Sequence, residues 1–267
     1  MRPLPLLLAA MLLFPALAIA APVRIIATDK GFDAPETIPA GMRHVVFENH
    51  GTKVHEVMFV KLAEGMSADD YAAQVKNDVL FPKGALDYSG VGLTSPGEGT
   101  DLWVHLDAGE YVLICWDDSR SSIRPLRVNA TSAKDDPPPK EDVTLRLTDF
   151  QFELDRPIRK GVQVIRIEAA GPSLHEADIF RLHPGKSAAD VRHWYKVDEM
   201  KSPAPAVALG GILDSHDTHR VVWIRKTFSP GRYVLHCAIP LEGQDARSGE
   251  HHTIHADAGM VKTFEIE

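Results

Sequence analysis

Gly109-Glu110-Tyr111-Val112-Leu113-Ile114-Cys115 and Gly231-Arg232-Tyr233-Val234-Leu235-His236-Cys237 are one stretch written twice in a chain of 267 residues. Each opens on glycine, carries Tyr-Val-Leu in its middle and ends on one of the two cysteines. The period-two reading of Arg232 to His236, rich in β-branched and aromatic residues, is that of a half-buried strand. The match continues outward. At an offset of 120, Asp29 falls on Asp149, Phe32 on Phe152, Gly41 on Gly161, Gly51 on Gly171, and His55-Glu56 on His175-Glu176. Gly65, Ser67, Ala68 and Asp70 fall on Gly185, Ser187, Ala188 and Asp190, and Gly90 meets Gly210. A small length change then sets the offset to 122 through the quoted stretch. The chain is two copies of one domain.

The join reads NATSAKDDPPPKE from Asn129 to Glu141, polar and stiffened by Pro137-Pro138-Pro139. Such a segment is a semi-rigid spacer. The expected organisation is a first domain over 22–128, a linker over 129–141 and a second domain over 142–267. Val143-Thr144-Leu145-Arg146-Leu147 and Val162-Gln163-Val164-Ile165-Arg166-Ile167 alternate as strands do. Ser67 and Ser187 read as helix N-caps, with Asp70 and Asp190 in the first turn, and Trp194 and Tyr195 as the residues that pack the second helix. The fold class is all-β: two tandem Greek-key sandwiches, each with one short helix.

Composition narrows the function classes. Acidic residues outnumber basic ones, 37 to 29, giving a formal charge of −8 with no basic run, so nucleic acid is not an expected partner. Two cysteines make no disulfide framework, and as equivalent residues of two sandwiches they are not expected to pair. Residues 1–20, MRPLPLLLAAMLLFPALAIA, have one early Arg, a short apolar stretch and small residues at Ala18 and Ala20. That is a signal peptide, which places the mature chain in the periplasm or outside the cell, with no membrane span of its own.

Thirteen histidines point to metal. In the second copy the quoted strand ends on Cys237, a loop of 17 residues follows, then come His255 and Met260, and His175 lies upstream. One thiolate, two imidazoles and a thioether are the ligand set of a type 1 copper site. That set suits both oxidation states, so an electron moves with little rearrangement. Each residue also has a plainer role. A buried Cys is a small core hydrophobe, Met260 fills a core, and His175 is a polar strand-end residue.

These residues carry a family resemblance. The second copy resembles a cupredoxin, and especially the type 1 copper domain of two-domain copper nitrite reductases, where His-Cys-Ala leads to a His and then Gly-Met. Here those positions are His236-Cys237-Ala238, His255 and Gly259-Met260. The resemblance implies tandem cupredoxin-like sandwiches and one type 1-like copper per chain, held by His175, Cys237, His255 and Met260. One redox metal with no evident substrate pocket makes an electron carrier, more than an enzyme, the leading expectation, with a redox partner protein.

Two features depart from the pattern. The loop before His255 is long and carries His251 and His252, which compete for the ligand position. The position five residues after His175 is Phe180, where the reductases' catalytic copper needs a histidine. A reductase- or oxidase-like enzyme with a further intersubunit copper, using His236 and His216, His219, His251 or His252, is therefore the alternative. A metal-free or Cu(I)-handling module is the third reading. The first copy keeps His55 and Cys115, but no His or Met follows Cys115 within it, and it reads as structural.

Overall fold

The computed structural model describes residues 21–267 except 78, 80–81, 117–121, 131–132, 216–220 and 242–252. The expected leader, residues 1–20, lies outside the described residues. In the first copy the strands are β1 (Val23–Thr28), β2 (Gly31–Asp33), β3 (Thr37–Pro39), β4 (Gly41–Asn49), β5 (His55–Lys61), β6 (Leu86–Thr94), β7 (Gly99–Leu106), β8 (Gly109–Ile114) and β9 (Ile123–Asn129), with helix α1 (Ala68–Lys76). In the second they are β10 (Val143–Thr148), β11 (Gln151–Leu154), β12 (Gly161–Ala169), β13 (Glu176–Leu182), β14 (Ala206–Ser215), β15 (Val221–Phe228), β16 (Gly231–His236) and β17 (Val261–Ile266), with helix α2 (Ala188–Lys196). The chain is all-β, and each sandwich carries one short helix, as its sequence implies.

Both copies share both sheets. One sheet runs β11-β10-β12-β15-β7-β4-β1-β2 and the other β17-β16-β13-β14-β6-β5-β8-β9-β3. Read from the middle, each order is the same in both directions except for β3, which adds a ninth strand at one end of the second sheet, so the copies face each other about a pseudo-two-fold. Equivalent strands meet at the seam: β7 pairs antiparallel with β15 around Leu102↔Ile224, and β6 with β14 at Gly90↔Leu213. Buried Asp178 ties the seam by accepting from the Leu93 backbone N–H at 2.9 Å. Arg225 bridges it to Asp101 at 2.8 Å.

The strand registers fix where the copies' lengths differ. Gly41↔Leu106 is answered by Gly161↔Phe228, so the offset has grown from 120 to 122 by β15. Met58↔Gly90 is answered by Asp178↔Gly211. Gly90 therefore corresponds to Gly211 and not to Gly210. The reason is steric: a Cβ on Gly90 would lie 1.9 Å from Val57 O, and one on Gly211 1.9 Å from Ala177 O.

The inner faces form one continuous apolar cluster. Val45, Phe47 and Leu102 are buried with Val57, Phe59 and Leu113 in the first copy, and Ile165, Ile167 and Ile224 with Ile179, Leu235, Cys237 and Met260 in the second. The helices cover the outer face of the second sheet. Tyr71 and Val75 of α1 pack over Met58 and Ile114, while Val191 and Trp194 of α2 pack over Phe180 and Val234. Both helices open on the expected N-caps, and each is closed as a capping box, Ser67 with Asp70 and Ser187 with Asp190. Among the described residues no helix is long and apolar enough to cross a membrane.

The linker does not stand clear of the sandwiches. Buried Arg43 donates to Lys134 O at 2.9 Å, Met42 N–H to Asp135 at 2.9 Å, and Asp136 N–H to Met42 O at 3.0 Å. A guanidinium taken out of water needs such partners, and the linker supplies them.

Candidate metal centre

Sheet register brings the second-copy donors to one end of the inner core. Cys237 follows β16 directly, and its side chain points inward because the strand alternates. His175 immediately precedes β13, the neighbour of β16. His255 opens a 3-10 turn, His255–Ala258, that leads through Gly259 to Met260 and β17. Backbone hydrogen bonds clamp this turn onto the cysteine: His255 N–H donates to Ile239 O at 2.9 Å, Ala256 N–H to Cys237 O at 3.0 Å, and Met260 N–H to His255 O at 2.9 Å.

One ligand atom each from His175, Cys237 and His255 lies within 4.8 Å of the others. His175 Nδ1 is 3.1 Å from His255 Nδ1, which is 3.5 Å from Cys237 Sγ. Cys237 and His175 are 0% exposed and His255 is 2% exposed. Met260, the fourth expected residue, is fully buried in the same core cluster as Cys237. Its backbone carbonyl accepts from the Cys237 N–H at 3.3 Å. Among the described residues no other group of three or more His, Cys, Asp or Glu offers converging ligand atoms.

The surroundings aim these donors. His175 Nε2 donates to Asp149 Oδ1 at 2.6 Å, which puts the lone pair on Nδ1, the atom that faces the cluster. Burial raises the Asp149 pKa, but the hydrogen bonds from His175 and Ser173 outweigh it and hold the carboxyl below its usual range. A Cβ on Gly171 would sit 2.4 Å from Asp149 Oδ1, so only glycine leaves room for the pair. The Glu176 N–H donates to Cys237 Sγ at 3.3 Å, and the Glu176 carboxylate accepts from the Ala238 N–H. Phe150 closes the site with its ring 4.7 Å from that of His255.

Burial, reinforced by the Glu176 carboxylate, pushes the Cys237 thiol well above its ordinary pKa. Burial, with His175 beside it, lowers His255 to about 4. At neutral pH the site therefore offers neutral imidazole and a thiol that gives up its proton only to something that replaces it, as a metal ion does.

Asp149, Glu176 and Gly171 were within reach of sequence reading, since all three recur at the same offset in the first copy. Nothing in their residue types assigned them a role. His251, His252, His216 and His219 lie outside the described residues.

His236 turns to the opposite face, as strand alternation requires. Its ring lies 6.2 Å from that of Phe180 and 6.0 Å from that of Tyr195, beneath α2. It is buried, and neither ring nitrogen has a hydrogen-bond partner among the described residues. Burial lowers its pKa to about 4. Phe180, in the place of a second histidine, lies in the apolar layer under the helix.

No protein-family model and no curated protein sequence matches the chain. Among solved structures it is similar to auracyanin from Roseiflexus castenholzii, at 17% identity over 40% of this chain and 94% of that one, with a TM-score of 0.31. Auracyanin A of Chloroflexus aurantiacus, a blue copper protein, is 22% identical over 41% and 100%, with a TM-score of 0.30. A copper-containing nitrite reductase from Thermus scotoductus is 9% identical over 92% of this chain and 61% of that one, with a TM-score of 0.24.

Proposed function

We propose that this chain is an exported, tandem cupredoxin-like copper protein, with domains over 22–128 and 142–267 joined by 129–141. His175, Cys237 and His255 hold one copper ion, and Met260 supplies the weak axial thioether. The observation that carries this reading is the convergence of one thiol and two imidazole nitrogens from three separate segments, with Met260 buried in the same core and bonded to Cys237 through its backbone. Zinc would also accept thiolate and imidazole, but it favours a full tetrahedron of N, O and thiolate ligands. A soft thioether suits copper.

Function follows from the setting. A buried site clamped by backbone hydrogen bonds changes little when the ion gains or loses an electron, so electron transfer is the reaction it suits. The chain's acidic balance favours a redox partner with a basic docking surface. Residues 1–20 direct export.

A second reading, an enzyme with a further copper, draws support from His236. Asp178 and His236 face each other across β13 and β16 where the first copy has Met58 and Ile114. A buried imidazole without hydrogen-bond partners among the described residues invites a ligand in such a place.

Copper content and visible absorption of the full chain separate the two. One copper per chain with intense blue or green colour supports the carrier, and a second, colourless copper lost in His236→Ala supports the enzyme. Protein that takes up copper without colour contradicts both. His255→Ala should change the spectrum where His252→Ala leaves it, and Met260→Leu should keep the colour and raise the potential.

A further inference from the structure

The first copy retains half of the same arrangement, outside the site just described. Cys115 Sγ lies 3.8 Å from His55 Nδ1, and both side chains are buried. His55 Nε2 donates to Asp29 Oδ1 at 3.2 Å, as His175 does to Asp149. Asp29 is itself fixed by Thr52, whose hydroxyl and backbone N–H donate to it at 2.7 and 2.8 Å. The glycine requirement is also repeated, since a Cβ on Gly51 would lie 2.6 Å from Asp29 Oδ1 and 2.7 Å from His55 Nε2. Glu56 repeats Glu176: its carboxylate accepts from the Trp116 N–H at 3.0 Å. A carboxylate on Nε2 places the ring proton there and leaves the Nδ1 lone pair directed at sulfur.

We infer that His55 Nδ1 and Cys115 Sγ form a second metal site, which takes one soft monovalent ion of the Cu(I) kind in two-coordinate geometry. Bonds of about 2.3 Å to sulfur and about 2.0 Å to nitrogen sum to about 4.3 Å, so the 3.8 Å pair need open by only about 0.5 Å to take an ion in line between its two donors. Thiolate, a soft ligand, selects Cu(I). Cu(II) and zinc want four donors, and from Trp116 to Glu141 the sequence has no His, Cys or Met to complete a set. On binding, the Cys115 thiol proton leaves to solvent and the S–Cu bond replaces S–H. The ion enters and stays as Cu(I), so no electron moves. Burial does not set this pair apart, because Cys115 and Cys237 are equally enclosed. The inference stands on the first copy's own geometry, and the same experiment tests the second-copy site separately.

The test is an anaerobic titration of the reduced full chain with Cu(I) against a chromophoric Cu(I) chelator. Two Cu(I) per chain are expected, falling to one in Cys115→Ser and to one in Cys237→Ser. Asp29 is partly exposed, so Asp29→Ala leaves both donors and the core in place. It should weaken one of the two ions about 10- to 100-fold. One Cu(I) in the wild type, unchanged by Cys115→Ser, overturns the inference. If Cys115→Ser fails to fold, an unaltered titration curve for Asp29→Ala overturns it instead. A count that Cys237→Ser leaves unchanged while Cys115→Ser lowers it contradicts the second-copy site and upholds this one.

Discussion

The two copies place the same three residue types around their cysteines and diverge one turn later. Asp29, His55, Glu56 and Cys115 reproduce Asp149, His175, Glu176 and Cys237 down to the carboxylate on Nε2 and the glutamate that takes the N–H after the cysteine. Among the described residues, only the second copy goes on to a 3-10 turn, which returns a second imidazole to the thiol and leads on to buried Met260. The outer faces differ as well, with Met58 and Ile114 in one copy and Asp178 and His236 in the other. One scaffold thus aims a Cys–His pair twice, and the short segment after the cysteine decides what that pair can hold.

The largest expected difference between the copies is in colour. Cys237→Ala should abolish the visible absorption and most Cu(II) affinity, while Cys115→Ala leaves both, as absorption spectra and metal analysis would register. Equal effects of the two substitutions would break the comparison.

Acid should find the second copy first. His236 has a folded pKa of about 4 against 6.5 when free, so the unfolded chain binds its proton more readily. Its contribution is fully present above pH 6.5 and is lost as pH falls toward 4, about 3 kcal/mol for a shift of this size. Denaturant unfolding of metal-free protein across that window should show a shallower loss in His236→Leu, whereas Ile114→Leu in the first copy should leave the pH slope unchanged.

Asp149→Asn should weaken copper binding about 10- to 100-fold without bleaching the saturated site, because it loosens the His175 ring and removes no donor. Competition against a chelator reads this directly, and an unchanged affinity would assign the Asp149–His175 bond to stability alone. The smallest effect is at the caps. Ser67→Ala and Ser187→Ala should each cost about 1 kcal/mol in denaturant unfolding and leave the spectrum untouched.

The sequence carried the repeat, the strands and the ligand types, because alternation and residue chemistry are local properties. It did not carry the seam. Alternation in β7 and β15 says which face is buried, not which edge is paired, so the fusion of two sandwiches through Leu102 and Ile224 had no signature. Gly90 and Gly210 align in sequence, yet Gly211 takes the close approach, since a register shift inside β13 and β14 is set by backbone contacts. The linker reads as a free spacer until buried Arg43 recruits its carbonyl and carboxylates. Cys237, His175 and His255 were legible by type and order. The hydrogen bonds from Asp149 and Glu176 that aim them were not, because an Asp beside a glycine turn and a Glu after a His have ordinary structural uses.

X-ray absorption at the copper edge of Cu(II)-loaded full-length protein tests the central claim most directly. The account requires one sulfur at about 2.3 Å or slightly less and two imidazole nitrogens at about 2.0 Å around a single copper. That pattern should be unchanged in Cys115→Ala and stripped of its sulfur in Cys237→Ala. A copper bound by nitrogen and oxygen alone in the wild-type chain would contradict it.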